Sequence, residues 1–174
     1  MIRPARLAAA VTALVLSLSG ASAHVVLDAE TATAGASLKL ALRVLHGCSG
    51  AATTRLRVRI PAVFQSALPQ PKPGWELEVV PGAQPAGAHA HGHDGHGGAP
   101  TEVVWTGRLE DGRYDEFVLW VSTARTAPPG PVYLPVVQEC GDRVQRWIEV
   151  PTEGSPADGL KSPAPVLRLI ARPS

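Results

Sequence analysis

The chain has 174 residues, a length that fits one domain with a real hydrophobic core. Its 16 lysines and arginines balance 15 aspartates and glutamates, and this near-neutral charge argues against nucleic acid or an anionic membrane surface as the partner. No Walker loop, dinucleotide-binding G-x-G-x-x-G or nucleophile turn G-x-S-x-G is present, so the sequence lacks the usual signatures of nucleotide-binding proteins and serine hydrolases.

Residues 1–23 have the layout of a secretory signal peptide. Arg3 and Arg6 give a positive start, an apolar run follows from residue 7 to residue 18, and the small residues Ala21 and Ala23 suit a cleavage site. An uncleaved anchor is the alternative, but the run is well short of the roughly 20 residues that a spanning helix needs. We therefore expect cleavage after Ala23, no membrane span in the product, and a periplasmic or secreted location.

Cleavage at this point would make His24 the first residue and would free its α-amine. The amine and the ring Nδ1 of one histidine can close a six-membered chelate on a metal ion, which no internal histidine can do. A free α-amine titrates near about pH 7.7–8, so a metal can displace its proton at neutral pH.

From residue 24 onward, hydrophobic residues mostly alternate with polar ones, as they do in β-strands. The clearest run is Thr54–Ile60, in which Leu56, Val58 and Ile60 are predicted to point inward and three arginines outward. Short runs bounded by glycine or proline predict strands at 25–27, 38–44, 54–60, 76–79, 102–105, 116–121, 133–137, 146–150 and 166–170. The pattern predicts an all-β fold, an antiparallel β-sandwich without a convincing helix.

Three segments interrupt these predicted strands: the proline-rich 66–74, the stretch 81–100 and the polar connector 151–165. The second contains a histidine-rich loop at 86–99, whose histidines are His89, His91, His93 and His96. This composition indicates metal capture, or delivery to a tighter site, with modest affinity because ordering a glycine-rich loop costs entropy. A solvated loop without a metal role is the alternative.

Cys48 and Cys140 are the only cysteines of the chain. In an oxidising compartment, such a pair predicts a disulfide that closes a loop of about 90 residues. A thiolate pair that binds metal is the alternative.

Only two histidines lie outside the histidine-rich loop, His24 and His46. If strands 25–27 and 38–44 pair about a turn centred on Gly35, His24 lies opposite His46, and Cβ atoms in such pairs are about 4.5–5.5 Å apart. An amine and two imidazoles form a nitrogen-rich site that favours Cu(II) among the divalent first-row ions. In the alternative interpretation, His46 caps a turn and His24 is frayed. A slip of one residue in the register moves His46 to the other face.

Several motifs occur together in one order behind the signal: His-Gly-Cys at 46–48, Pro-Gly-Trp at 73–75, Asp-Glu-Phe at 115–117, and Gln-x-Cys at 138–140 followed by Trp147. In this combination the chain resembles the YcnI-like domain family over nearly all of residues 24–151. The resemblance implies an immunoglobulin-like or cupredoxin-like β-sandwich that binds Cu(II) through its N-terminal histidine, in a histidine-brace-like site.

The resemblance also implies a carboxylate ligand and a tryptophan near the metal. Trp147 matches that tryptophan, and because its indole has no free lone pair we expect it to pack over the site, with an ordinary core position as the alternative. The chain departs from the family where His46 and its neighbours replace a Pro-x-Glu stretch. We therefore expect His46 to be the further ligand, with Glu139 and Glu30 as carboxylate candidates.

From these features we expect one domain, residues 24–174, that binds Cu(II) as a periplasmic copper carrier or chaperone and is not an enzyme. The resemblance implies a copper-import or copper-resistance membrane protein as its partner. One alternative is a copper-dependent oxidative enzyme, although the four tryptophans lie mostly in strand patterns and favour core positions over a substrate platform. The other is a cell-envelope interaction module with an incidental metal-binding loop.

Overall fold

The computed structural model describes residues 24–82, 99–152 and 159–173. The predicted signal peptide and the four histidines of the histidine-rich loop lie outside these residues. In the ranges described, no helix is long and apolar enough to cross a membrane.

Short strands make up most of the described chain. In chain order they are β1 (Val25–Leu27), β2 (Thr31–Thr33), β3 (Ser37–Val44), β4 (Thr53–Arg59), β5 (Phe64–Pro69), β6 (Glu76–Val80), β7 (Glu102–Leu109), β8 (Asp115–Thr123), β9 (Gly130–Tyr133), β10 (Val136–Cys140), β11 (Arg143–Trp147) and β12 (Val166–Ile170). The prediction of an all-β fold is confirmed.

The strands form three sheets with the orders β1-β3-β8-β5, β11-β10-β4-β7-β6 and β2-β12-β9. The pairings are antiparallel except that of β2 with β12, which is parallel. Trp105 of the five-stranded sheet packs edge-on against Phe117 of the four-stranded sheet, with ring centroids 5.5 Å apart. The two sheets therefore face each other across one core, as the β-sandwich prediction requires.

Alternation along the strands builds this core. Leu56, Val58 and Ile60 are buried as predicted, and Leu40 and Leu42 of β3 are likewise fully buried. Because fully burying such a side chain stabilises a fold by about 1.5–3 kcal/mol, these inward positions are the main source of stability.

Several segments differ from the prediction. Strand β2 was not predicted, and the predicted strand 146–150 lies at Arg143–Trp147, where β11 pairs with β10. Two further differences arise because the chain changes sheets or runs along a sheet edge. The predicted strand 133–137 is two strands: the Leu134 amide donates to Pro165 beside β12, whereas Pro135 accepts from Arg59 beside β4. The proline-rich segment begins as strand β5, which ends at Pro69. Since β5 is an edge strand, the missing amide hydrogen of Pro69 leaves no inner ladder bond unmade.

The four tryptophans divide between the core and the surface. Trp105 and Trp147 are buried and Trp75 is partly buried, whereas Trp120 is 51% exposed. The expectation of a core position is wrong for Trp120, because its neighbours Phe117, Leu119 and Val121 take the inward positions of β8.

Candidate metal site at the start of strand β1

The register of β1 on β3 places His24 beside Leu45. Val25 lies opposite Val44, and Leu27 lies opposite Leu42. A turn centred on Gly35 would have paired Val25 with Leu45, so the predicted pairing of His24 with His46 is wrong by one residue.

The physical reason is that β1 and β3 are not joined by a tight hairpin turn. Strand β2 lies between them and pairs with β12 in another sheet. The amide of Gly35, at φ +79°, donates to the hydroxyl of Thr123, which anchors the connection to β8. Asp28 sets the register instead, because its carboxylate accepts from the Ala41 amide at 2.7 Å.

The structure brings His24 together with Trp147. The two ring centroids are 5.4 Å apart and the ring planes are inclined by 47°. Trp147 ends β11 and is only 3% exposed, so it is also part of the core. One face of the predicted site is therefore an indole that packs beside the His24 imidazole.

Gln138 holds this indole in place. Its side chain is 1% exposed, and its Oε1 accepts a hydrogen bond from Trp147 Nε1 at 3.1 Å. Its Nε2 donates to the carbonyl of His46 at 2.8 Å and to the hydroxyl of Thr53 at 2.7 Å. One buried amide therefore connects the backbone of His46 to the ring that contacts His24.

The segment that carries His46 is fixed on several sides. Cys48 forms a disulfide with Cys140, which confirms that prediction in place of a thiolate pair. Gly47 donates its amide to Asp111 at 3.0 Å. A Cβ atom on Gly47 would lie 1.9 Å from a backbone oxygen, so only glycine fits here.

The position of the His46 ring determines its tautomer. Nδ1 lies 2.8 Å from the carbonyl oxygen of Gly47. Because a carbonyl oxygen only accepts, Nδ1 carries a proton, so His46 could bind a metal only through Nε2. His46 is partly buried.

Glu30 and Glu139 lie in different surroundings. Glu30 is exposed and lines, together with His24, a cleft of about 270 Å³ between residues 24–30 and residues 163–166. Glu139 alternates with Gln138 along β10 and therefore points to the opposite face of the sheet, where its carboxylate lies 3.9 Å from Arg57. The structure brings Glu30 to the His24 cleft, and it does not bring Glu139 there.

No group of three or more His, Cys, Asp and Glu side chains that could hold a metal occurs in residues 24–82, 99–152 and 159–173. A chelate at an N-terminal histidine needs fewer side chains, because one of its donors is the backbone nitrogen. In this chain that nitrogen belongs to the peptide bond with Ala23, so it becomes an amine donor only on cleavage.

Sequence reasoning did not identify Gln138 as a site residue. The available signal was its spacing from Cys140, since residues two apart in a strand share a face and Cys140 is tied to the segment of His46. That spacing does not reveal the hydrogen bond to Trp147, because it depends on the pairing of β10 with β11.

The comparisons with known proteins identify one family and one fold. The family model described as "Domain of unknown function (DUF1775)" matches residues 24–169. The solved structure of an uncharacterized protein from Nocardia farcinica, reported to have an immunoglobulin-like fold, is 28% identical, covers 86% of this chain and 99% of its own, and superposes with a TM-score of 0.63. This confirms the immunoglobulin-like sandwich.

The more distant matches include two cohesin structures. No curated protein matches. The Coh-OlpA–Doc918 cohesin–dockerin complex of Clostridium thermocellum is 9% identical, covers 86% of this chain and 99% of its own, and has a TM-score of 0.45. The seventh ScaB cohesin of Pseudobacteroides cellulosolvens is 9% identical, covers 87% and 94%, and has a TM-score of 0.38.

Proposed function

This chain belongs to the DUF1775 family, a domain of unknown function, and we propose that it is an exported Cu(II)-binding protein that carries copper. The observation that carries the proposal is the contact between His24 and Trp147, with ring centroids 5.4 Å apart at the start of β1. Export is part of the proposal, because removal of residues 1–23 gives His24 the α-amine that completes a chelate.

The donor set fits Cu(II). His24 would supply its amine and its Nδ1. The observed register does not set His46 opposite His24, so we propose His46 as a donor from the adjoining segment and not from a cross-strand pair. It would bind through Nε2, because its Nδ1 donates to the carbonyl of Gly47. Nitrogen donors favour Cu(II) among the divalent first-row ions. Glu30 is the carboxylate that we propose in preference to Glu139, because it lines the His24 cleft.

Binding and release, rather than turnover, suit the surroundings of His24. The cleft beside it opens at the edge of the four-stranded sheet and is lined largely by apolar residues of β1 and of segment 163–166. A partner that docks there would contact the first residue directly. We propose that this partner is a copper-import or copper-resistance membrane protein, and that the histidine-rich loop at 86–99 captures copper more weakly.

The test is a Cu(II) titration of the mature protein, in which calorimetry and EPR measure the binding. Mass spectrometry first establishes that the exported chain begins at His24. One variant carries an extra glycine before His24, and the matched control carries serine at His89, His91, His93 and His96. We expect the extension to abolish the tight site and spare the loop, and the loop variant to do the reverse. Tight binding that is unchanged in the extended variant would rule out the chelate.

Acid should release the copper, because protons compete with the metal for imidazole and amine nitrogens. Histidine side chains in model peptides titrate near about pH 6.5, so we expect release to begin as the pH falls below about 6. Competition titrations with a chelator from pH 8 to pH 4 measure this. Affinity that stays constant down to pH 4 would contradict nitrogen ligation.

Two further measurements separate the proposal from its alternatives. Peroxide-driven oxidation by the copper-loaded protein would indicate a copper-dependent oxidative enzyme. Copper tolerance that is unaffected by His24→Ala would indicate an envelope interaction module with an incidental metal-binding loop.

A further inference from the structure

We infer that Gln138 is the positioning residue of this site, which holds the Trp147 indole against His24 and ties it to the segment that carries His46. The part of this inference that is tested with copper rests on the proposed function. The positioning itself concerns the metal-free protein and can be measured without the metal.

The hydrogen bonds of Gln138 leave its amide one orientation. Its nitrogen donates both hydrogens, to His46 at 2.8 Å and to Thr53 at 2.7 Å, and its oxygen accepts from Trp147 at 3.1 Å. Flipping the amide would set a donor against the indole N–H and an acceptor against the His46 carbonyl. Because the side chain is 1% exposed, water cannot replace these partners, and the arrangement is fixed.

Core packing holds the Trp147 side chain, which is 3% exposed, but the residue lies where its strand ends. Trp147 is the last residue of β11, which is the edge strand of the five-stranded sheet. After it the chain leaves the sheet, and the amides of Ile148 and Glu149 donate to Ser162. The indole N–H therefore depends on Gln138, because a buried donor without an acceptor costs about 1–3 kcal/mol.

Gln138 also couples two parts of the site that lie on different segments. Its acceptor side faces the ring beside His24, and its donor side faces the carbonyl of His46. A shift of the His46 segment must move the Gln138 amide, and the amide must move the indole. Residues that orient ligands in this way typically change metal affinity by about 10–100-fold when they are removed.

The test compares Gln138→Met, which keeps the length but makes no amide hydrogen bonds, with Trp147→Phe, which keeps a ring but has no N–H donor. The matched control is Gln145→Met. Gln145 lies directly opposite Gln138 on β11, and its substitution makes the same chemical change at a neighbouring position. The proteins begin at His24, and circular dichroism checks that each retains the β-sandwich.

The metal-free readout is NMR. In the wild type and in Gln145→Met, we expect ring-to-ring NOEs between His24 and Trp147 and an indole N–H that exchanges slowly. In Gln138→Met, we expect the NOEs to weaken and the indole N–H to exchange faster. A Gln138→Met spectrum with wild-type NOEs and exchange would overturn the inference, whatever the protein does with copper.

The copper readout is a double-mutant cycle on the tight Cu(II) site, measured by calorimetry and EPR. We expect Gln138→Met to weaken binding at least 10-fold and to change the EPR parameters, and the double variant with Trp147→Phe to lose less than the two effects combined. Fully additive losses would show that Gln138 does not act through Trp147. Absence of a tight site in the wild type would refute the proposed function, and the NMR result would then decide the inference alone.

Discussion

Breaking the disulfide between Cys48 and Cys140 should lower the free energy of unfolding by several kcal/mol. The two cysteines are 92 residues apart, and for a loop of that length the chain-entropy model gives about 4.6 kcal/mol at 25 °C. Both are buried, at 2% and 1% exposure, so the bridge lies within the fold. For a domain of this size, each kcal/mol corresponds to about 2–4 °C, and we expect a fall in Tm of roughly 10–18 °C.

Urea unfolding of the same protein, oxidised and then reduced, measures this loss. Reduction keeps both sulfur atoms and so preserves more of the core packing than alanine substitution would. A chelator is added throughout, because a metal that binds only the folded state would add its own stabilisation. The control is the Cys48→Ala/Cys140→Ala variant, whose unfolding midpoint the reductant should not change. A reduced wild type within about 1 kcal/mol of the oxidised protein would refute the loop-closure reasoning.

Three further substitutions test the packing and the loops by urea or thermal unfolding. Leu56→Ala removes a fully buried side chain and should cost about 2–5 kcal/mol; a loss below 1 kcal/mol would contradict its core position. Gly47→Ala places a Cβ 1.9 Å from a backbone oxygen and should destabilise by more than about 1 kcal/mol, whereas Gly159→Ala, with no atom within 4 Å, should change stability by less than about 0.5 kcal/mol. Lys72→Met removes the 2.6 Å ion pair with Asp115, in which the side chains of Lys72 and Asp115 are 18% and 36% exposed. The substitution should lower the free energy of unfolding by up to about 1 kcal/mol, and by less in high salt.

The fold class was predictable because a half-buried strand is recognisable in the sequence from the alternation of hydrophobic and polar residues. In β4 the inward side chains Leu56 and Val58 alternate with Arg55 and Arg57, and no distant part of the chain has to be known for that pattern to be read. The same reasoning placed β3 and β12 within one residue of their ends.

Register and sheet exchange were not predictable, because they depend on distant partners. The hairpin between β1 and β3 was expected to be symmetric about Gly35, and the parallel pairing of β2 with β12 removes that symmetry. The break at Leu134 likewise follows from a hydrogen bond to Pro165, some thirty residues later in the chain. Propensity and alternation carry no information about such partners.

The candidate site was predictable in its residue types and only in part in its arrangement. The predicted signal peptide indicated His24 and the resemblance to the YcnI-like family indicated Trp147, and the structure brings the two together. Gln138 was not indicated, because an uncharged amide carries no metal chemistry and its role arises from three hydrogen bonds to separate segments. The choice between Glu30 and Glu139 required the strand faces, which the sequence left open.

The parallel pairing of β2 with β12 also determines when the sheet that contains β2 can form. Residues 31–33 have their sheet partner at residues 168–170, which are synthesised much later. Strand β2, which follows the His24 segment, therefore cannot pair in its sheet until residues 168–170 have been made. If the chain is exported and binds copper as proposed, a partly translocated chain would lack the finished corner around His24, and the metal could be held there only after residues 168–170 have emerged.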